Sequence, residues 1–530
     1  MSAVIDASGG NERTGFFGHP RGLSTLFFTE MWERFSYYGM RAILFLYMTN
    51  AVTNGGLGWS AETAGPIVGL YAASAYFLPL IGGWLADRYI GAYRSTFIGG
   101  VIIMLGHFSL AVPTITFFYL GLVLVAVGTG FLKSNISAMV GDLYDEDDIR
   151  RDSGFSIFYM GINLGAFISP LVCGFLAQSS VFKNFITGLG LDPNSSWHFG
   201  FAAAGVGMFF GLVQYVIGKK HLAHVGLAPS ENPKLIAKAS SEKPNPGYLA
   251  KMGAVVVVAV AIIVVALFTS GFETAITYVL MPVVVVAGLV AVILTGMQDK
   301  LSRSDWKRIG IILILFSFST IFWMGFEQAA TSLNAFADKL TQTSVFGYAF
   351  PSSWLQSVNA LLIIIFAPVL AWLWLKLGDR QPSDSIKFAF GLFFGGLGYV
   401  VITFASMQLG ADPVNNPASR VTFWWLVLLY FCHTIGELCL SPVGLSSMTK
   451  LAPTKMVSLM LGVWFLSISL GNYIAGQIAA EFVPDKYVLI GIFTKVAAIM
   501  IGAGVLLTIL SPFVKRLYTK PEEMPPVEPA

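Results

Sequence analysis

Residues 27–45 read FFTEMWERFSYYGMRAILF, an apolar stretch of membrane-helix length. It nevertheless carries four charged residues: Glu30, Glu33, Arg34 and Arg41. At about 100° per residue, these charges and the two tyrosines between them fall within an arc of roughly 140° on one helix face. A charge at the centre of a bilayer costs about 2.5–3.5 kcal/mol on insertion scales, so such side chains rarely face lipid. The polar face of this helix is therefore predicted to point inward, at protein partners or at water.

The composition of the whole chain indicates a polytopic membrane protein. Of the 530 residues, 55% are hydrophobic and only 12% are charged, and the mean hydropathy is +0.71. A soluble domain carries about 25% charged residues. So many apolar stretches of about 20 residues cannot share one soluble core. The net charge of +3 is small and gives no indication of nucleic-acid binding.

No residue pattern in the chain predicts a catalytic site, a metal site or a cofactor. Zinc-protease, phosphate-loop and serine-hydrolase motifs do not occur in the right context, which argues against a membrane-embedded enzyme. The three cysteines lie in apolar segments and are interpreted as small buried hydrophobic residues: Cys173, Cys432 and Cys439. Three scattered histidines are interpreted as packing or loop residues: His107, His198 and His433.

Fourteen apolar segments of spanning length predict an all-α polytopic membrane protein with two six-helix bundles and two extra transmembrane helices. The first six segments run roughly 22–50, 62–87, 93–112, 116–140, 152–178 and 197–218. The last eight run roughly 249–269, 275–296, 306–337, 353–377, 385–408, 421–448, 455–480 and 487–514. The predicted division is an N-terminal tail 1–21, a bundle 22–218, a linker 219–248, an inserted helix pair 249–296, a second bundle 306–514 and a tail 515–530.

Lysine and arginine predict how the chain is oriented in the membrane. Basic pairs such as Arg150 with Arg151 and Lys219 with Lys220 fall in alternate connections, while the other connections hold isolated cases. Basic connections face the cytoplasm. Fourteen spans then place both termini on the cytoplasmic side. The first 21 residues contain no signal-peptide apolar core, so the first helix itself is expected to direct insertion.

An internal repeat relates the two halves of the chain. The connection at 82–94 reads GGWLADRYIGAYR and the one at 374–387 reads WLKLGDRQPSDSIK. Their Asp-Arg pairs, Asp87-Arg88 and Asp379-Arg380, lie 292 residues apart. Parallel halves of this kind indicate an alternating-access transporter with its site between the halves.

Helix geometry sorts the intramembrane charges into two depths. At 1.5 Å per residue from the cytoplasmic ends, Arg34 is about 18 Å deep, Lys133 about 14 Å and Glu437 about 20 Å. Arg41, at about 29 Å, and Glu327, at about 32 Å, lie towards the outside. A central group with both signs and an outer opposite-charge pair are predicted. The alternatives are a fixed structural ion pair and simple neutralisation of Arg34 by Glu33.

Three motifs resemble those of the proton-coupled oligopeptide transporters of the major facilitator superfamily. The run from Glu30 to Gly39 has the form ExxERFxYYG, and residues 158–165, FYMGINLG, have the form FYxxINxG. The stretch from Gly83 to Arg94, which includes Asp87 and Arg88, resembles the GxxxDR cytoplasmic-loop motif of the superfamily. The resemblance extends from about Phe17 to Tyr518. An extra helix pair between the halves is typical of bacterial members.

The resemblance implies the major facilitator fold and proton-driven uptake of di- and tripeptides by alternating access, with no cofactor. It implies that Arg34 and Lys133 receive the peptide carboxylate, and that Glu437, with Asn359 nearby, receives the amino terminus. The implied pocket lining is Tyr38, Tyr76, Asn163, Trp323, Ser441 and Trp464. Glu30 and Glu33 are implied to couple to Lys133. Glu327 is implied to be a proton site and the partner of Arg41 in an outer gate.

One departure from animal members leaves the proton site open. Those proteins carry a functional histidine in the second helix, and segment 62–87 has none. Proton binding is then expected at Glu30, Glu33 or Glu327. The competing functions are transport of another anion such as nitrate, drug efflux, and a non-transporting peptide-sensing receptor. The expected setting is the bilayer of the cell inner membrane, with the protein working as a monomer.

Overall fold

A computed structural model describes residues 15–145, 148–222, 225–231, 246–271, 274–453 and 456–518. Parts of the predicted tails and of the predicted linker lie outside these ranges. Within them, fourteen α-helices have 19 or more residues. Six of these, with a short α6 of nine residues, come before residue 218: α1 (Arg21–Thr49), α2 (Ala61–Leu85), α3 (Ala92–Leu110), α4 (Ile115–Asp142), α5 (Arg151–Gln178), α6 (Ser180–Gly188) and α7 (Ser196–Ile217).

The remaining helices follow after residue 245. They are α8 (Pro246–Ser270), α9 (Leu280–Gln298), α10 (Arg303–Phe326), a short α11 (Ser332–Leu340), α12 (Ser357–Leu377), α13 (Asp384–Met407), α14 (Trp424–Leu451), α15 (Val457–Ala480) and α16 (Lys486–Tyr518). Four two-residue strands lie between helices: Thr341–Gln342, Ser344–Val345, Tyr348–Ala349 and Val421–Thr422. The first and last of these pair in parallel. The all-α prediction is therefore confirmed.

Twelve spans in the described part of the chain are long and apolar enough to cross a membrane. Helices α1 and α3 are absent from that set. Helix α1 carries too many charged residues to count as an apolar span, yet 22 of its 29 residues are buried. A charged helix can be this deeply enclosed only because its polar face is directed at protein, as the sequence predicts.

The chain forms two compact units that do not follow chain order. Unit 1 comprises residues 1–58, 77–242 and 348–364, and unit 2 comprises residues 59–76, 243–347 and 365–530. Helix α2 is therefore divided after Tyr76, and helix α12 is divided after residue 364. The inserted pair, α8 and α9, belongs to unit 2, where α9 packs on α15 and most of α8 is exposed.

The segment before α1 is held against the connection between α4 and α5. The Nδ1 atom of His19 lies 2.9 Å from the hydroxyl of Tyr144, and the ring is buried. Arg150 donates to the carbonyl of Gly18 at 3.2 Å and also binds Asp148, with Nη2 and Oδ2 separated by 2.6 Å. Burial, followed by the charge of Arg150, lowers the pKa of His19 below its usual 6.5.

The lowered pKa of His19 predicts a pH-dependent attachment of this segment. The attached form favours the neutral imidazole, so attachment is complete above about pH 6.5 and weakens as the pH falls below it. Arg150 holds the pKa of Asp148 at about 2, so Asp148 stays charged through this range. Amide hydrogen exchange at residues 15–22, corrected for intrinsic rates, should accelerate between about pH 7.5 and about pH 5.5. The same measurement on His19→Gln should show no such step, and an identical step in both proteins would contradict the assignment.

Candidate functional site

A buried ion cluster occupies the middle of α1 in unit 1. The Nε atom of Arg34 lies 2.7 Å from Oε1 of Glu30 and 3.1 Å from Oε2 of Glu33. The three residues are 5%, 1% and 0% exposed, respectively. Helical geometry produces the contact with Glu30, because residues one turn apart lie on the same face. Glu33 directly precedes Arg34 in the chain. The predicted inward direction of the polar face is confirmed.

Two further groups from unit 1 interact with this cluster. Lys133, on α4, interacts electrostatically with Glu33, which also senses Glu30 and Arg34. The hydroxyl of Tyr38 interacts with Arg34. The cluster thus contains two carboxylates and two cations, so its formal charge is close to zero. Such compensation makes burial of the cluster tolerable, whereas removal of one member would leave an uncompensated charge.

A glycine of the FYxxINxG run allows α5 to reach the ion cluster. A Cβ atom at Gly165 would overlap the carbonyl oxygen of Met31 and would lie 3.1 Å from Cβ of Arg34. Close contact between the two helix backbones therefore requires glycine here. Asn163, one of the implied pocket residues, is buried in the same helix, and its side chain donates to the carbonyl of Tyr159 at 3.0 Å.

Unit 1 also contains the beginning of α12, which carries Asn359. Trp354 donates from Nε1 to the carbonyl of Leu171 at 3.0 Å, and Ser357 donates to the carbonyl of Phe167 at 2.7 Å. These bonds fix the start of α12 against α5. Asn359 follows two residues later and is half-buried. Its assignment to unit 1, whereas most of the predicted second bundle belongs to unit 2, could not be foreseen from its position in the sequence.

The implied pocket residues of the second half lie on α10, α14 and α15 in unit 2. Trp464 is buried, and its indole ring lies where a side chain at Gly444 would be. Glu437 and Ser441 are half-buried and one turn apart on α14, so they share a helix face. Trp323 is buried near the end of α10.

The first part of α2, up to Tyr76, is attached to α15 within unit 2. Ser469 donates to the carbonyl of Ala73 at 2.8 Å. A Cβ atom at Gly65 would come 2.5 Å from the carbonyl oxygen of Gly476, so the two helices touch through their backbones. This contact explains why Tyr76 belongs to unit 2 although it lies within the predicted first bundle.

The implied gate residues, Arg41 and Glu327, are both buried and belong to different units. Glu327 begins the 3-10 turn Glu327–Ala330 that follows α10. The structure describes each residue within its own unit, and their pairing stays a prediction.

The cytoplasmic-loop motif is attached to a segment that sequence reasoning did not single out. Arg94 forms an ion pair with Glu231, with 2.6 Å between Nη2 and Oε1. The backbone N–H of Tyr93 donates to the carbonyl of Gly226 at 2.9 Å. Gly91 has a φ of 78°, which favours glycine. No sequence signal identifies Glu231, because an acid in a polar linker is usually solvated.

The other motif residues differ in exposure. Gly83 is half-buried, and a Cβ atom added there would lie 3.0 Å from Oγ of Ser134. Asp87 and Arg88 are exposed. The guanidinium of Arg88 lies over the ring of Trp84, 5.6 Å from its centroid.

The three cysteines are free and buried, as predicted for small apolar residues. Among the described residues, no three His, Cys, Asp or Glu side chains group as a metal ion would require.

Known proteins match the chain over nearly its full length. The model of the POT family matches residues 93–496. The peptide transporter YePEPT of Yersinia enterocolitica is 38% identical, and the match covers 95% of this chain and 96% of that protein. A di-/tripeptide transporter of Lactococcus lactis subsp. cremoris is 37% identical, covering 94% of this chain and 97% of that one. A crystal structure of a peptide transporter POT in complex with sulfate is 41% identical, with a TM-score of 0.79 and coverage of 95% and 97%.

The helical architecture and the buried ion cluster define a multi-pass membrane transporter with the major facilitator fold. Within that class, the chain belongs to the POT family. The resemblance drawn from the three sequence motifs is confirmed, and so is the predicted fold class.

The contact between Gly165 and α1 predicts a large effect of a single methyl group. Gly165→Ala should destabilise the α1–α5 pair by about 1–3 kcal/mol, the usual cost of overpacking, and displace Arg34. Gly310→Ala is the matched control, because nothing lies within 4 Å of a Cβ at that position. Thermal unfolding of the purified proteins in detergent should show a lower Tm for Gly165→Ala only. Equal melting temperatures would show that the close approach is not required.

Proposed function

We propose that the protein is a proton-coupled symporter that takes up di- and tripeptides by alternating access. The observation that carries the proposal is the cluster in unit 1 of the buried Glu30, Glu33 and Arg34 with the half-buried Lys133. The relatives reported above, a peptide transporter and a di-/tripeptide transporter, support the substrate class.

The charges of the two units suit the two ends of a peptide. A peptide is a zwitterion whose charges are separated by its backbone. Unit 1 offers the cations Arg34 and Lys133 for a carboxylate, and unit 2 offers Glu437 for an ammonium group. Charge-assisted hydrogen bonds to termini are strong and ignore the side chains of the substrate. Aromatic residues such as Trp323 and Trp464 would then accept varied side chains, which accounts for broad specificity.

Proton coupling requires a carboxylate whose proton affinity depends on conformation. Burial disfavours the charged form of a carboxyl group, whereas a nearby arginine favours it. In the proposed cycle, Glu327 is charged while it is paired with Arg41, and protonation from outside releases the pair. Loss of the proton to the inside then allows the pair to form again. Glu30 and Glu33 couple the same cycle to Lys133.

The proposal also covers setting and assembly. The protein would reside in the cell inner membrane with both termini in the cytoplasm, following the distribution of lysine and arginine. It would require no cofactor or metal, would perform no catalysis, and would work as a monomer. The remaining candidates, a carrier of another anion such as nitrate, a drug exporter and a peptide sensor, are separated from it by one experiment.

Transport in liposomes tests the proposed function. With an imposed pH gradient, inside alkaline, labelled dialanine should accumulate and labelled nitrate should not. Lys133→Ala should insert and fold but lose concentrative uptake, because the peptide carboxylate and Glu33 lose their cation. Lys251→Ala, which removes an exposed lysine of α8, should transport like the wild type. Accumulation of nitrate instead of dialanine, or of neither, would refute the proposal.

Replacement of Glu327 tests the proton site. Glu327→Gln keeps the shape of the side chain but cannot release a proton, so proton-driven accumulation should be abolished. Counterflow exchange of labelled for unlabelled dialanine needs no net proton movement and should persist. Glu62→Gln, at an exposed position in the first turn of α2, is the matched control. Intact accumulation by the Glu327 variant would remove that residue from the coupling mechanism.

A further inference from the structure

The short helix α6 connects two membrane-spanning helices of unit 1. Helix α5 ends at Gln178 and α7 begins at Ser196, and both belong to spans that are long and apolar enough to cross a membrane. Consecutive spans are joined at a membrane surface, and the nine residues of α6 are too few to cross a bilayer. The intervening Ser179 is extended, with a φ of −67° and a ψ of 130°, so α6 does not continue the axis of α5. Helix α6 therefore lies at the boundary between lipid and water.

An apolar stripe runs along α6 and is left uncovered by the described part of the chain. Val181, Phe185 and Leu189 recur every four residues and fall within an arc of about 80°. Their side chains are 67%, 61% and 64% exposed. Single exposed apolar residues are common on protein surfaces, whereas a row of three large ones on one side of a short helix indicates an interaction surface.

The other sides of α6 have different surroundings. Lys183, Asn184 and Thr187 fall within an arc of about 100° on the side away from the stripe. Asn184 and Thr187 are exposed, and the hydroxyl of Thr187 donates to the carbonyl of Lys183 at 2.8 Å. Ile186 is 1% exposed and fastens the helix to the protein. Helix α6 thus has one polar side, one side packed on protein and one apolar side without a protein partner among the described residues.

Phenylalanine rings connect the stripe to the membrane-facing surface of the neighbouring helices. The ring of Phe182 lies 6.3 Å from Phe175 near the end of α5, 6.2 Å from Phe185 and 5.5 Å from Phe199 in the first turn of α7. Phe199 is exposed and begins a row of exposed apolar residues within an arc of about 120° on α7. The others in this row are Val206, Phe209, Phe210, Val213 and Val216. An exposed apolar row along a membrane-spanning helix faces lipid, so the stripe of α6 continues a lipid-facing surface.

We propose that α6 is an interfacial helix that inserts Val181, Phe185 and Leu189 into the bilayer, in the leaflet where α5 ends and α7 begins. An amphipathic helix of this kind lies in the plane of the interface, with its apolar side about 5–10 Å into the boundary of headgroups and acyl chains. Its polar side then meets headgroups and water. Lipid is the occupant, rather than a second copy of the chain, because the stripe continues the lipid-facing row of α7. The inference requires only a membrane-spanning chain and is independent of what the protein transports.

Spin labels on the two sides of α6 test the proposal. The variants Val181→Cys and Phe185→Cys place a label on the stripe, and Asn184→Cys and Thr187→Cys place it on the polar side. Thr187 is a matched control for Val181, because the two side chains have the same shape. The three native cysteines are buried, and the wild type treated with the same label gives the background signal. In vesicles of phosphatidylethanolamine and phosphatidylglycerol, oxygen concentrates in the lipid and a nickel chelate stays in the water. The ratio of oxygen to nickel accessibility should be several-fold higher at positions 181 and 185 than at 184 and 187.

The outcomes distinguish lipid from the other occupants of the stripe. Equal ratios at the four positions would show that the stripe faces water and would refute the proposal. Low accessibility to both reagents at 181 and 185, with spin–spin broadening, would show that a second copy covers the stripe, and this too would refute it.

Hydroxyl-radical footprinting of the wild type in the same vesicles provides a second test that needs no substitution. After correction for intrinsic reactivity, Phe185 should be oxidised several-fold less than Ile149 in the connection between α4 and α5. Their exposed fractions of 61% and 94% alone would not produce a difference of that size. Oxidation of Phe185 in proportion to its exposed fraction would refute the proposal.

Discussion

The neutralisation of Arg34 by Glu30 and Glu33 is the interaction on which the structure of unit 1 depends. A buried guanidinium without partners would cost several kcal/mol, and the two carboxylates would be equally costly alone. Together they allow α1 to be enclosed by protein on nearly all sides. This compensation also makes each member of the cluster depend on the charges of the others, so a change in any one charge leaves another buried charge without its partner.

The two units of the fold contain different kinds of polar and charged side chains. Unit 1 holds the two cations and their carboxylates, and its helices are brought close by glycines such as Gly165. Unit 2 holds buried indoles, the acid Glu437 and a buried imidazole, that of His433. Each unit also includes the first part of one helix from the other half of the sequence. The two halves are thus interwoven in their contacts although they are separate in the chain.

Sequence reasoning was most successful where one physical rule dominates. The cost of charge in a bilayer identified the polar face of α1, and apolar length identified the helices. It was weaker where contacts come from distant parts of the chain. Tyr76 and Asn359 are assigned to their units by glycine contacts and by bonds to backbone carbonyls, which no periodicity reveals.

The contact of Arg94 with Glu231 has a consequence for how such a chain can acquire extra helices. Residues 225–231 are bound to the first half through Tyr93, by a backbone hydrogen bond, and through Arg94, by an ion pair. The next described helix begins at Pro246. A stretch of coding sequence added after codon 231 therefore leaves the fastened loop intact. The inserted pair therefore follows a part of the linker that is already held to unit 1, while its own packing on α15 holds the pair to unit 2.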